Sequence, residues 1–302
     1  MSKFKAWISA ARLRTLPLSV SGILLGTALA NYVGFENGLI FILAILTTIA
    51  FQITSNFAND YGDGVKGTDN DERIGPKRAL QSGLLTKNEL KLGIIISALF
   101  SLCLTIFLIY AAFGVDNFGY VLLFLILGIF SIWAALKYTM GDSPYGYQGL
   151  GDVFVFLFFG LLSVLGTKFL YTKSLIVLDI LPAIAIGCLC VGVLNLNNLR
   201  DVKSDSAHGK NTLVVKMGFD NGKKYHYILL VVSLLCFVLY SFYTFESWFC
   251  LLYLIFFLPI FLHFLKVVKT TEAKLLDPEL KKLALSTFLI ALSFYITINY
   301  FL

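Results

Sequence analysis

The sequence predicts an all-α protein: a multi-pass membrane bundle of nine transmembrane helices around a central cavity open to the cytoplasmic side. Three observations predict it. Of 302 residues, 58% are hydrophobic and only 14% charged, and the mean hydropathy is +0.82, far from a soluble globular composition. Apolar stretches of about 20 residues, the length that crosses a ~30 Å hydrocarbon core, recur through the whole chain. Two clusters of acids and amides lie at the ends of two such stretches, where carboxylates are costly and so point to a function. Residues 1–302 read as a single domain.

The first predicted segment, Leu13–Val33, opens behind Arg12 and Arg14 and carries Pro17, which an opening helical turn tolerates. The second, Gly38–Asp60, ends in the first polar cluster. Gly114 and Asp116-Asn117 divide the third, Glu89–Phe113, from the fourth, Phe118–Tyr138. The fifth is Leu150–Leu170, and the sixth, Leu175–Leu199, ends in the second cluster. Lys223–Tyr243, Trp248–Val268 and Leu283–Phe301 complete the set. The opening stretch, MSKFKAWISAARLRTLP, lacks a compact apolar core before a small-residue cleavage site, so it does not read as a signal peptide. The five cysteines all fall in apolar segments, with neither zinc-site spacing nor a disulfide framework, and read as packing residues.

Basic residues orient the bundle. With nine crossings, 22 of the 24 Lys and Arg residues fall on one side, leaving only Lys168 and Lys173 on the other. The N-terminus and the long basic loops are therefore expected in the cytoplasm and the C-terminus on the opposite side of the cell membrane. The net charge of +6 reads as topology and lipid-headgroup contact rather than nucleic-acid binding. Four crossings separate the two polar clusters, so both emerge on the cytoplasmic side, where they can face one another.

The first cluster reads Asn56-Phe-Ala-Asn59-Asp60-Tyr-Gly-Asp63-Gly, and the second Asn195-Leu-Asn197-Asn198-Leu-Arg200-Asp201-Val-Lys203-Ser-Asp205. Offsets of three and four residues share a helix face. Asn56, Asn59, Asp60 and Asp63 then form one polar stripe, and Asn197, Asp201 and Asp205 another. Their hard oxygen atoms suit Mg²⁺, which keeps waters and is completed by substrate phosphates. A diphosphate bridged by Mg²⁺ between the two stripes fits that chemistry. Lys66, Arg73, Lys77 and Arg78 follow the first cluster, and Arg200, Lys203 and Lys210 accompany the second, as phosphate contacts or as solvated topology signals. Glycines 62, 64, 67, 75 and 83 make the first loop flexible or a lid. Tyr138, Tyr145 and Tyr147, with Asp152 just beyond, read either as an interfacial aromatic belt or as a platform for an aromatic substrate or a carbocation. His208 neighbours Asp205 but reads as a solvated loop residue; His226 and His263 attract no role.

These motifs resemble the UbiA-type intramembrane prenyltransferases over essentially the whole chain. Finer features are similar to the menaquinone branch of that family, which acts on 1,4-dihydroxy-2-naphthoate. They are Arg14-Thr-Leu-Pro17 with Gly26-Thr-Ala, and Asn59-Asp60-Tyr-Gly-Asp63-Gly-Val-Lys66-Gly67-Thr-Asp69. Further along come Gly75-Pro76-Lys77-Arg78-Ala-Leu-Gln-Ser82-Gly83, Tyr145-Gly-Tyr147-Gln-Gly149-Leu-Gly-Asp152 and Asn197-Asn198-Leu-Arg200-Asp201. The resemblance implies transfer of a long polyprenyl chain from its allylic diphosphate to that aromatic acceptor, with loss of diphosphate and carbon dioxide, giving demethylmenaquinone. It implies a Mg²⁺ cofactor and a donor tail lying between helices, with Phe-rich runs such as Val153–Phe159 as candidate walls. Asn59, Asp63, Asp201 and Asp205 look like Mg²⁺–diphosphate ligands, with Asn56, Asp60 and Asn197 beside them. Lys77, Arg78, Arg200, Lys203 and Lys210 are diphosphate candidates, and Arg14, Tyr138, Tyr145 and Tyr147 are candidates for the acceptor or the cation. Two positions depart from the pattern. Gly67 stands where the broader family often has an acid, with Asp69 a candidate replacement, and Asn211 stands where an Arg is common.

Other readings compete. A relative acting on hydroxybenzoate or homogentisate would carry the same acidic machinery. A CDP-alcohol phosphatidyltransferase shares Asp60-x-x-Asp63-Gly but lacks its compact continuation. An ion-coupled transporter places its acids near the bilayer midplane, whereas these crowd the helix ends.

Overall fold

The computed structural model describes residues 2–68, 74–75 and 77–301. Among these, nine helices are long and apolar enough to cross a membrane, as the sequence predicts. They are α1 (Lys3–Tyr32), α2 (Gly38–Lys66), α3 (Lys87–Phe113), α4 (Phe118–Lys137), α5 (Gly151–Thr172), α6 (Val177–Ala207), α7 (Phe219–Thr244), α8 (Trp248–Lys269) and α9 (Ala273–Tyr300). No strand occurs among the described residues.

Helix ends carry the main differences from expectation. The first span starts ten residues early because it is two helices. Lys3–Ala11 ends at Arg12, whose φ of 50° is left-handed, and a 3₁₀ turn over Leu13–Thr15 leads into Leu16–Tyr32 with Pro17 in its opening turn. The second helix runs on to Lys66 and stops at Gly67, whose φ of 74° suits glycine. The sixth continues to Ala207. Both polar stripes are therefore fully helical, as their three- and four-residue offsets require. α3 starts two residues before its predicted beginning, fixed by a capping box in which Thr86 and Glu89 satisfy each other's backbone N–H groups. α9 starts ten residues early, its first turns carrying the charged Glu279, Lys281 and Lys282, with Glu279 held by His263 and Lys282.

The core lies around α6, which packs against α5, α7 and α9, while α1 packs against α9 and α5. Small residues let these helices approach closely. A Cβ on Gly160 would lie 2.6 Å from the Gly187 Cα, and one on Gly26 would lie 2.4 Å from the Val164 carbonyl oxygen. Phe156–Gly166 of α5 is wound as a π-helix, a form common near functional sites. At the end of the bundle away from the acids, Lys168 and Asp179 form a buried ion pair at 2.6 Å that ties α5 to α6. The two histidines left without a role join three helices: His226 Nε2 meets His263 Nε2 at 2.9 Å, and His263 Nδ1 meets Glu279 at 2.8 Å. These contacts satisfy polar groups that would be expensive to bury alone.

Candidate active site

One cavity of about 820 Å³ opens between α1, α2, α4, α5, α6 and α9, with contributions from α3 and the loops. Its polar end gathers both acidic stripes. The helical phase of α2 presents Asn56, Asn59 and Asp63 to it, and that of α6 presents Asn197, Asp201, Ser204 and Asp205.

The two stripes meet at Lys210. Its ammonium Nζ lies 3.8 Å from Asp63 Oδ2 and 4.0 Å from Asp205 Oδ1. The loop geometry that delivers it is local: the Lys210 N–H donates to the Asp205 carbonyl at 2.8 Å, closing the turn after α6. Burial works against the lysine's charge, but Asp63 and Asp205 outweigh it and hold its pKa above the usual lysine range. The Tyr147 ring lies beneath the same ammonium, 5.4 Å from it to the centroid, and its hydroxyl donates to Asp63 Oδ1 at 2.8 Å. Thr68 Oγ1 shares that hydroxyl at 2.6 Å.

Asp201 is held differently. Arg200 Nε and Nη2 donate to its two oxygens at 2.8 and 2.6 Å. The same guanidinium donates to Asn197 Oδ1 at 2.8 Å and to Asp277 Oδ1, at the start of the α9 helix proper, at 2.6 Å. Arg200 is thus a clamp on the second stripe as well as a cavity-wall cation. Asp201 retains lone pairs, because a carboxylate offers about four acceptor sites and the fork occupies two. Asn59 Oδ1 accepts from Thr139 Oγ1 at 3.3 Å, and Thr139 sits against Gly62, where a Cβ would come within 2.4 Å of its Oγ1.

Several expected residues stand elsewhere. Asp60, expected beside the metal, is turned out of the cavity. Its carboxylate accepts from the Ala79 and Leu80 amides at 3.1 and 3.4 Å and holds the first loop's turn. Asn56 does line the cavity, but its amide nitrogen donates to the Ala11 carbonyl at 2.8 Å and Gln52 donates to its oxygen at 3.2 Å, so it braces the break in α1. Lys203 is exposed and is not among the lining residues. Lys77 lines a smaller neighbouring cleft with Arg12, Arg14 and Arg78; the last three also reach the main cavity. Arg73 and Asp69 lie outside the described residues. Gly67 sits at the left-handed end of α2, with φ of 74°, a conformation that favours glycine.

Tyr138 and Tyr145 line the cavity, ring centroids 5.4 Å apart, and Tyr145 stacks on Phe154 and donates to the Ala134 carbonyl. Burial pushes the Tyr138 hydroxyl up to about 12 and raises those of Tyr145 and Tyr147 as well, so all three stay protonated near neutral pH. Asp277, Lys281, Thr139 and Gln52 were missed from the sequence. Only Asp277-Pro278 carried a signal, as a helix-opening pair.

Among the described lining residues, Arg12, Arg14, Arg78, Arg200, Lys210 and Lys281 face Asp63, Asp201, Asp205 and Asp277. Such an end accommodates a polyanion together with a hard cation. Among the described residues no three His, Cys, Asp or Glu side chains converge to chelate an ion by themselves. The oxygen donors that line this end, Asn59, Asp63, Asn197, Asp201 and Asp205, are of the kind that can share Mg²⁺ with substrate phosphates, for which one or two carboxylates suffice. The rest of the cavity is walled mainly by apolar side chains such as Leu127, Phe158 and Leu162, with hydroxyl side chains such as Thr47, Thr105 and Ser131 among them.

The profile of the UbiA prenyltransferase family matches residues 19–295. The chain belongs to this family. A relative from Haemophilus influenzae, a 1,4-dihydroxy-2-naphthoate octaprenyltransferase, is 49% identical over 249 residues, covering 82% of this chain and 80% of that protein. The fold is shared with a UbiA homolog from Aeropyrum pernix K1, with a TM-score of 0.66 at 14% identity over 95% of this chain and 96% of that one. It is shared also with a UbiA homolog from Archaeoglobus fulgidus bound to DMAPP and Mg²⁺, with a TM-score of 0.58 at 16% identity over 93% and 98% of the two chains. In this UbiA-family chain the acidic stripes, Lys210 and the apolar bore belong to one continuous cavity.

Proposed function

We propose that this protein transfers a long polyprenyl chain from its allylic diphosphate to 1,4-dihydroxy-2-naphthoate. The observation that carries the reading is the shape of the cavity: acids and cations at one end, an apolar bore at the other, the two halves an amphipathic prenyl diphosphate needs. The naphthoate acceptor follows from the 49% identity to the Haemophilus influenzae octaprenyltransferase of that acceptor.

In the reaction the allylic C–O bond breaks and diphosphate leaves. The ring carbon bearing the carboxylate bonds to the prenyl carbon and carbon dioxide departs, which leaves demethylmenaquinone at its quinol level. Asp63 and Asp205, with Asn59, Asp201 and Asn197 nearby, are the residues that would hold Mg²⁺. The chemistry Mg²⁺ supplies when bound is charge neutralisation, which makes diphosphate a better leaving group. Lys210 adds a fixed positive charge between the same acids and binds the diphosphate from the protein side, with Arg78 as a second cation. Arg200 keeps Asp201 and Asn197 aimed at the cavity. The Tyr138 and Tyr145 ring faces and Phe154 shield the allylic cation from water, and their apolar surroundings keep the hydroxyls neutral. Arg14 and Lys281 offer positive charge for the acceptor's carboxylate before it is lost. The excess of Lys and Arg in the loops on their side supports a cytoplasmic orientation of the acid-bearing helix ends.

Purified protein with Mg²⁺, octaprenyl diphosphate and 1,4-dihydroxy-2-naphthoate is expected to release diphosphate and form the prenylated naphthoquinol, identified by mass as such or, after air oxidation, as the quinone. Prenylation of hydroxybenzoate or homogentisate in preference to the naphthoate would overturn the acceptor assignment.

A further inference from the structure

The break in α1 anchors a chain of amides that ends on the cavity wall. At the break the Ala11 carbonyl accepts from Asn56 Nδ2 at 2.8 Å, and the Arg12 carbonyl accepts from Thr15 Oγ1 at 2.9 Å. A carbonyl can only accept, so these two bonds set the direction of the others. Asn56 turns its nitrogen to the break and its Oδ1 to Gln52, whose Nε2 donates to it at 3.2 Å. The Thr15 hydroxyl has given its proton to Arg12 and can only accept further. It does so twice, from Asn56 Nδ2 at 3.2 Å and from Gln52 Nε2 at 3.3 Å.

Every proton of this network is thereby placed. Both N–H bonds of Asn56 and both of Gln52 are in use, and the amide of Gln52 is held in one orientation. Its Oε1 takes no part in any of these bonds. Among the described residues no donor reaches that oxygen, and it is not sealed inside the protein. Gln52 and Thr15 both line the cavity. The network therefore offers a ligand a fixed hydrogen-bond acceptor and no donor. Seven residues of α2, about 10 Å at the α-helical rise, separate Gln52 from Asn59 of the acidic stripe. Arg14, which also lines the cavity, adjoins Thr15 in the chain.

We propose that Gln52 Oε1 reads the 4-hydroxyl of the aromatic acceptor. The proposal rests on the prenyl-transfer reading above. In 1,4-dihydroxy-2-naphthoate the 1-hydroxyl lies beside the carboxylate and donates to it, as in any salicylate. The 4-hydroxyl is the donor left for the protein. With Arg14 toward the carboxylate and Gln52 on the opposite hydroxyl, the ring is held at two points. The carbon that bears the carboxylate then meets the prenyl carbon in one register. A site built to pair a substrate O–H disfavours an analogue that lacks it, because the site's own polar atom is left without its partner.

The test is steady-state prenylation in lipid nanodiscs with Mg²⁺ and octaprenyl diphosphate. The substrate is 1,4-dihydroxy-2-naphthoate, and 1-hydroxy-2-naphthoate, which lacks the 4-hydroxyl, is the competing ligand. Gln52→Met keeps the length of the side chain and removes the amide oxygen. It is expected to raise KM for the dihydroxynaphthoate about ten-fold. KM for octaprenyl diphosphate is expected to stay unchanged. So is the inhibition constant of 1-hydroxy-2-naphthoate, which has no proton to give at this position. An unchanged KM for the dihydroxynaphthoate overturns the assignment. An equal loss for substrate and analogue also overturns it, since Gln52 would then only brace the break in α1. If Gln52→Met elutes aggregated, Gln52→Asn takes its place: it keeps the amide but retracts it by one methylene, and the same outcomes decide. Failure of the underlying reading looks different, because the wild-type protein would then release no diphosphate with the dihydroxynaphthoate.

Discussion

Lys210 Nζ lies 3.8 Å from Asp63 Oδ2, linking a loop that follows α6 to a carboxylate on α2. The contact joins two polar clusters separated by four membrane crossings. It also makes Lys210 the one buried cation that touches both stripes among the described ion pairs.

Removing that cation leaves two buried carboxylates facing one another. Breaking one partner of a buried pair costs about 3–5 kcal/mol. Lys210→Met is therefore expected to lower kcat/KM for the prenyl diphosphate by at least about 100-fold, in line with the loss of one preorganised charge from a closed site. Lys210→Arg keeps the charge and is expected to retain more activity. Steady-state kinetics of both variants, with elution profiles to verify folding, check this; equal losses would show that charge is not what Lys210 contributes.

The charge of Lys210 also sets a pH dependence of stability. Its folded pKa is raised, so its contribution is fully present below the unfolded lysine value near 10.4 and is lost as pH rises through the folded value. The difference in melting temperature between wild type and Lys210→Met is thus expected to stay flat from about pH 6 to 9 and to shrink only above about pH 10. A difference that shrinks between pH 6 and 8 would contradict a charged, ion-paired lysine. Tyr138, pushed up to about 12 by burial, adds no titration in that window.

Much of this site was legible in the sequence because its rules are local. Helix periodicity put Asn59 and Asp63 on one face, and counting crossings put Asp63 and Asp205 on one side of the membrane. What escaped depends on tertiary packing. Asp60 carries the same chemistry as Asp63, but three residues of helical rotation turn it toward the Ala79 and Leu80 amides. Arg200 reads as a phosphate contact until Asp277, 77 residues away, takes part of its fork. Thr139 has no motif at all, and only its packing on Gly62 reveals it.

Arg200 tests whether the clamp needs a planar fork. It makes four donor contacts to Asp201, Asn197 and Asp277. Lysine keeps the charge but not the fork, so Arg200→Lys is expected to lose nearly as much kcat/KM as Arg200→Ala. Asp277 is 46% exposed in its side chain, and water screens its share of the pairing. Asp277→Asn is therefore expected to cost at most about 1 kcal/mol, or roughly five-fold in kcat/KM. Near wild-type kinetics in Arg200→Lys would reduce Arg200 to a point charge.

Tyr147→Phe tests the tyrosine hydroxyl in the same site. The hydroxyl donates to Asp63 at 2.8 Å and meets Thr68 Oγ1 at 2.6 Å, while the ring carries Lys210 at 5.4 Å, so the substitution removes both hydroxyl contacts and keeps the ring. A hydrogen bond to a charged group is worth about 1.5–3 kcal/mol, so kcat/KM is expected to fall by roughly 10- to 100-fold. The loss should appear mainly in the Mg²⁺ and diphosphate dependence, because the partner is a proposed metal-holding carboxylate. Tyr147→Leu removes ring and bond together and is expected to be worse by the cation–π contribution, about 0.5–2 kcal/mol. Titrating Mg²⁺ against turnover for the three proteins separates the two effects. If Tyr147→Phe matched wild type at every Mg²⁺ concentration, the hydroxyl would have no part in orienting Asp63.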